Sequence, residues 1–222
     1  MSTQEEGILM SVRNQLNQAE QFLNAGDYGN ARNSAQQAIV LARAQDHTPS
    51  LAAAYYGMAS VIWNSGGTSE DAHHYASLAA QHTKANTSTD LLVRMLVARL
   101  KVARGNYEAA KLLLEDLLRF YESENRQEGK ADVYRSLGDM YRIQGKNDLA
   151  REHYFQALGL YQHFDDPLNH AGLLLSIGTL MYQTGDPAEA LRYWTEARLI
   201  AEDKGYRHIL EAVDKAMEVF EA

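Results

Sequence analysis

The sequence predicts an all-α fold, an α-α superhelix or solenoid of about five helix pairs closed by a C-terminal capping helix. Three observations predict it. Glycine recurs at Gly26, Gly66, Gly105, Gly145 and Gly185, at spacings of 40, 39, 40 and 40 residues. A small residue follows at a matched offset: Ala31, Ala110, Ala150 and Ala190 lie five residues on, and Ala72 lies six on because Gly66-Gly67 adds one. Prolines number only three, Pro49, Pro167 and Pro187. That scarcity suits long helices, because an interior proline removes a hydrogen bond and clashes with the preceding turn. Self-similarity at a fixed period of this size marks a repeat array.

Each glycine should close one helix and open the next, at the position where a left-handed cap favours glycine. From these anchors helices are expected near 5–24, 28–45, 50–65, 69–85, 88–104, 107–124, 128–144, 147–163, 168–184, 187–203 and 206–221. The repeats then run over 5–45, 50–85, 88–124, 128–164 and 168–204, with a cap at 206–221, and 1–222 reads as one domain. The last helix carries Ile209, Leu210, Val213, Met217 and Phe220 on one side and has no following partner. It should shield the apolar face of the last pair, as terminal caps of solenoids do. Asp186 before Pro187 places an N-cap candidate ahead of a proline at the first helical position.

The clearest repeat is 131–158, with Tyr134, Leu137, Gly138, Tyr141, Gly145, Ala150, Tyr154 and Ala157. Leu174, Ile177, Gly178, Met181, Gly185, Ala190, Trp194 and Ala197 stand at the same offsets one repeat later. Small residues at Gly138, Gly178, Ala98, Ala59 and Ala19 let two helices of a pair approach, and large apolar residues three or four positions away fill the remaining space. HEAT-type hairpins share a period of about 40–47 residues, but the matched offsets resemble the tetratricopeptide repeat. The period exceeds the roughly 34 residues usual there. In this the chain is similar to the longer-repeat subgroup of kinesin light chains, LGN-type scaffolds, Rap regulators and MalT-like helical domains. The resemblance implies a protein-interaction scaffold, with the first helix of each pair lining a concave surface.

Composition narrows the function classes. The net charge of −8 disfavours nucleic acid and anionic membrane surfaces as partners. With no cysteine, disulfides, thiolate metal sites and cysteine nucleophiles are excluded. No apolar run approaches the roughly 18–20 residues needed to span a bilayer, and the N-terminus lacks the pattern of a signal peptide, so the cytoplasm is the expected location. The eight histidines form no HExxH pair, and no GxSxG, phosphate loop or GxGxxG occurs. No enzyme, metal or cofactor is therefore expected.

The resemblance places the peptide-binding surface on first-helix residues that point away from the second helix. These are Arg13, Asn17 and Asn24 in the first repeat, and Tyr56, Ser60, Trp63 and Asn64 in the second. Arg99, with Met95 and Val102, comes from the third; Arg135, Asp139 and Arg142 from the fourth; Thr179 and Tyr182 from the fifth. Arginine presents a planar donor fork that suits carboxylates, aromatics are enriched at binding hot spots, and asparagine both donates and accepts. The expected ligand is a peptide or protein segment with acidic and apolar residues. Two alternatives stay open for these side chains. Trp63 could fill the gap to a neighbouring repeat, and Arg135, Asp139 and Arg142 could satisfy one another on a solvated helix face. Self-assembly into a homo-oligomer, or regulation of a signalling protein, is the alternative function.

Overall fold

The computed structural model describes the backbone of residues 3–44 and 47–221 and, within them, all side chains except those of 3–6, 8 and 219–221. Phe220 of the expected cap face therefore lies outside the described side chains. Eleven helices are present among the described residues, and no strand. The chain divides into two compact units, residues 1–110 and 111–222. Each has its own core; one domain over 1–222 remains an expectation.

The first unit holds α1 (Thr3–Asn24), α2 (Tyr28–Ala44), α3 (Thr48–Asn64), α4 (Ser69–His82), α5 (Ser88–Ala103) and the first turn of α6 (Tyr107–Ser123). Consecutive helices from α1 to α5 pack on one another, and the first helices also meet, α1 on α3 and α3 on α5. Ala31, Ala35, Ala38 and Ala42 line one side of α2 and are all buried. Their four-three-four spacing keeps them on one helix face, where small side chains permit close approach. Tyr55, Met58, Val61 and Ile62 of α3 fill the space opposite.

The second unit holds the rest of α6, α7 (Gln127–Ile143), α8 (Asn147–Tyr161), α9 (Pro167–Gln183), α10 (Pro187–Lys204) and α11 (Arg207–Glu221). Here α7 packs on α8 and α9, α9 on α10, and α11 on both α9 and α10. The offsets read from the sequence have a direct cause. A Cβ on Gly138 would meet the Tyr154 ring at 2.4 Å, and one on Gly178 would meet the Trp194 ring at 2.5 Å. Each glycine thus makes the seat for the large aromatic of the second helix. Ile209 and Val213 of α11 are buried, with Leu210, Ala216 and Met217 packed at the edge of the same core. The described part of the last helix is therefore a cap.

The turns follow the expected chemistry with local corrections. Gly26, Gly66, Gly105, Gly145 and Gly185 all have φ between 71° and 84°, where an L side chain is strained. Asp186 caps α10, accepting from the Glu189 amide at 3.2 Å. The third helix starts two residues before the expected position. His47 is its N-cap, with Nδ1 accepting from the Ser50 amide at 3.3 Å. The fourth ends at His82, three residues early. Asp90 draws the following turn away from helix, accepting from Thr83 Oγ1 at 3.3 Å and from the Asn86 amide at 3.0 Å.

Candidate functional site

In the first unit the meeting of α1 and α3 leaves a groove of about 520 Å³. Leu9, Val12 and Leu16 of α1 and Pro49 and Ala53 of α3 supply its apolar floor, and Arg13, Asn17, His47 and Ser50 its polar edge. The helical period explains the composition. Residues 9, 12, 13, 16 and 17 share one side of α1, so the apolar residues sit at the seam and Arg13 and Asn17 stand beside it, exposed. Met10 is also on the rim and is 68% exposed. His47 is held in place by its capping bond and by Ser50 Oγ at 2.8 Å. Because Nδ1 accepts from a backbone amide, the neutral ring carries its proton on Nε2, which makes that nitrogen a donor. Among the described residues lining this groove, Arg13 is the one formal charge.

Arg13 and Asn17 are thus brought together with an apolar floor. Sequence reasoning missed the floor itself and His47. The i, i+3, i+4 pattern of Leu9, Val12 and Leu16 was a readable signal for it, but the capping role of a histidine was not.

The remaining expected positions in this unit are engaged to different degrees. Tyr56 and Trp63 are half-buried against the core, so Trp63 does fill a packing gap. The Asn64 amide donates to the Ser60 carbonyl at 2.9 Å and to Ser60 Oγ at 3.2 Å. Part of its bonding capacity is therefore spent within its own helix. Asn24 is half-buried on α1, and Arg99 is half-buried on α5. Met95 and Val102, expected on the open surface, are each 7% exposed and so belong to buried packing.

In the second unit three expected side chains do not point away from the second helix. Tyr154 of α8 is buried, and its hydroxyl donates to Asp139 Oδ1 at 2.6 Å and accepts from Arg142 Nε at 3.3 Å. Burial first, and then the Asp139 charge, push this phenol far above its ordinary range. Arg142 Nη1 also reaches Gln183 Oε1 on α9 at 3.5 Å. The Tyr182 ring lies 5.8 Å from that of Trp194 on α10. Long polar side chains at the edge of a helix face can turn inward when a buried hydroxyl needs partners, and the wheel position does not reveal this. Arg135 reaches forward to α9, with Nη1 3.5 Å from the Asn169 carbonyl and 3.5 Å from its side-chain oxygen. Its guanidinium lies over Gly172, where a Cβ would come within 2.6 Å. Arg135, Asp139 and Arg142 therefore tie helices together instead of satisfying one another in a row. The Thr179 hydroxyl donates to the Leu175 carbonyl of its own helix at 2.8 Å.

Among the described residues no group of three or more His, Asp or Glu side chains is placed to hold a metal ion. Likewise no described helix is long and apolar enough to cross a membrane.

No family model matches the sequence, and no curated protein matches it. Solved structures do. NprR in complex with its cognate peptide NprX is similar at a TM-score of 0.76, with 18% identity over 90% of this chain. The chain spans 58% of the length of that structure. TTC0263, a thermophilic TPR protein of Thermus thermophilus, is similar at 0.60, with 21% identity over 91% of this chain and 98% of the other. The TPR-like repeats of a putative kinesin light chain of Podospora anserina are similar at 0.59, with 16% identity over 92% and 99%. At these identities the likeness concerns the fold, which is that of a TPR-like helical repeat.

Proposed function

We propose that the chain is a non-enzymatic scaffold or adaptor that holds a peptide segment of a partner protein, and that in the first unit the segment lies between α1 and α3. The observation that carries this reading is the groove itself, an apolar floor with Arg13 and Asn17 exposed at its edge. Such a combination fits a short segment with one or two apolar side chains and a carboxylate. The guanidinium of Arg13 takes the charge and the Asn17 amide the backbone. The solved NprR structure holds a peptide on the same type of fold, which supports the assignment. Asn24, Tyr56, Ser60, Trp63, Asn64 and Arg99 are proposed to extend the surface along the same unit. In the second unit Thr179 and Tyr182 are proposed contacts, whereas Arg135, Asp139 and Arg142 set the positions of the helices that carry them. The reading takes the cytoplasm as its compartment.

The test is a random peptide display on the intact chain, repeated on Arg13→Glu and on Ala53→Trp. Arg13 is exposed, so reversing its charge spares the fold, and the added indole fills the groove. Peptides enriched on the wild-type chain are expected to carry acidic residues near apolar ones and to be lost on both variants. Retention of the same peptides on both variants, with unchanged melting curves, overturns the groove. The described apolar face of α11 is covered, so self-assembly through that face gains no support.

A further inference from the structure

The second unit has another recess, formed where the α8–α9 turn meets the last turn of α10. Asp166 shapes the turn by capping α9. Its Oδ1 accepts from the Asn169 amide at 3.1 Å and its Oδ2 from the Asn169 side chain at 2.8 Å. This holds Phe164 against the core, edge-on to Tyr161 with ring centroids 5.2 Å apart. Opposite stand Leu199 and Ile200 of α10. The space between them is about 370 Å³, within the range of roughly 300–1,000 Å³ typical of small binding pockets. Leu199 on its rim is 60% exposed, unusual for a leucine beside a ready-made apolar recess.

The charges around this recess have one predominant sign. Among its described lining residues, Asp165, Asp166 and Asp203 stand against Lys204. Lys204 is already bound to Asp203, at 3.1 Å, and Asp165 also acts on it electrostatically. The recess lies between the C-terminal end of α10, a negative pole, and the N-terminal end of α9, a positive pole that the Asp166 carboxylate caps. The two helix ends oppose each other, so the sign of the recess is set by its side chains, which attract a cation and repel an anion.

We propose that this recess is a second docking surface, whose occupant is a basic segment of a partner protein carrying a large apolar side chain. The apolar side chain enters between Phe164 and Leu199, and a neighbouring lysine or arginine lies against Asp165 and Asp203. An anionic lipid or an acidic peptide does not fit the rim. A second copy of this chain is disfavoured by charge, since each copy carries −8. The surface belongs to the second unit and is independent of the α1–α3 groove, which prefers the opposite charge.

The experiment is a random peptide display on the intact chain, with Leu199→Ser and Asp165→Lys as parallel baits. Both sites are exposed, so melting temperatures should stay within about 2 °C of wild type, as for surface changes away from packed features. Peptides that depend on Leu199 are expected to carry lysine or arginine close to a leucine, methionine or phenylalanine. One of them, synthesised with a fluorophore, should bind about tenfold more weakly to either variant, the loss of roughly one apolar or ionic contact. Its binding should also weaken as salt is raised. The proposal is overturned if no enriched peptide depends on Leu199, or if the dependent peptides are acidic or uncharged. It is equally overturned if light scattering shows a dimer of the wild-type chain that Leu199→Ser dissolves, because the occupant is then a second copy.

Discussion

Tyr154 has no exposed surface, yet its hydroxyl is doubly bonded, giving a proton to Asp139 and accepting one from Arg142. Replacing it by phenylalanine keeps the ring over Gly138 and removes only the oxygen. Asp139 then loses its donor in a half-buried setting, so Tyr154→Phe should cost about 1–2 kcal/mol, read as a fall in the urea midpoint at unchanged slope. The same network makes Arg142→Ala a change in helix packing as well as in surface charge. A second residue-scale expectation concerns His153. Its ring is stacked between Tyr134 and Tyr141, with centroids at 6.0 and 5.3 Å. Burial lowers its pKa, outweighing the Gln156 contact and the Glu152 charge that favour the protonated ring. The folded pKa therefore lies below the unfolded value of about 6.5, and the unfolded chain takes up the proton first. Stability tied to this ring is complete above that value and declines as pH falls through it toward the folded pKa. Urea midpoints taken at about pH 7.5 and about pH 5.5 should fall further for wild type than for His153→Gln. An equal fall in both would assign the effect to other groups.

At the scale of elements, the α7–α8 and α9–α10 pairs are each set by a glycine on one helix and an aromatic on the other. Gly138 faces Tyr154 and Gly178 faces Trp194. A methyl group added at Gly178 has no room, so Gly178→Ala should destabilise by about 1–3 kcal/mol through forced rearrangement. The indole is the obstacle, so the same change made beside Trp194→Leu should cost less than it does alone. A double-mutant cycle by urea unfolding measures the difference, and additive costs would place the strain in the backbone instead. This complementarity was legible in the sequence because small and large residues recur at fixed offsets across repeats. Helix ends were less legible, since they depend on single side chains. His47 as a cap and Asp90 as the acceptor that ends α4 follow no repeat. The candidate site was legible where a polar residue borders an apolar seam, as Arg13 and Asn17 do. It was illegible where a long side chain turns to serve a buried hydroxyl, because Asp139 and Arg142 occupy surface-like wheel positions whatever their partners.

For the whole molecule, the physics of repeat arrays applies: each pair touches its neighbours and little else, so stability is built locally and terminal faces must be covered. Val213 stands at the centre of the α11 face and has no exposed surface. Val213→Asp would bury a carboxylate without a partner, at a cost of several kcal/mol, so α11 should detach in preference to enclosing it. Hydrogen exchange is expected to show lost protection in α11 and in α9 and α10, the helices it packs on, with α2, α3 and α4 unchanged. The uncovered apolar faces should also make the variant associate with rising concentration in light scattering. A loss of protection spread evenly over 1–110 as well would contradict local stability. It would mean that the two compact units unfold as one cooperative block, which is the energetic content of a single domain over 1–222.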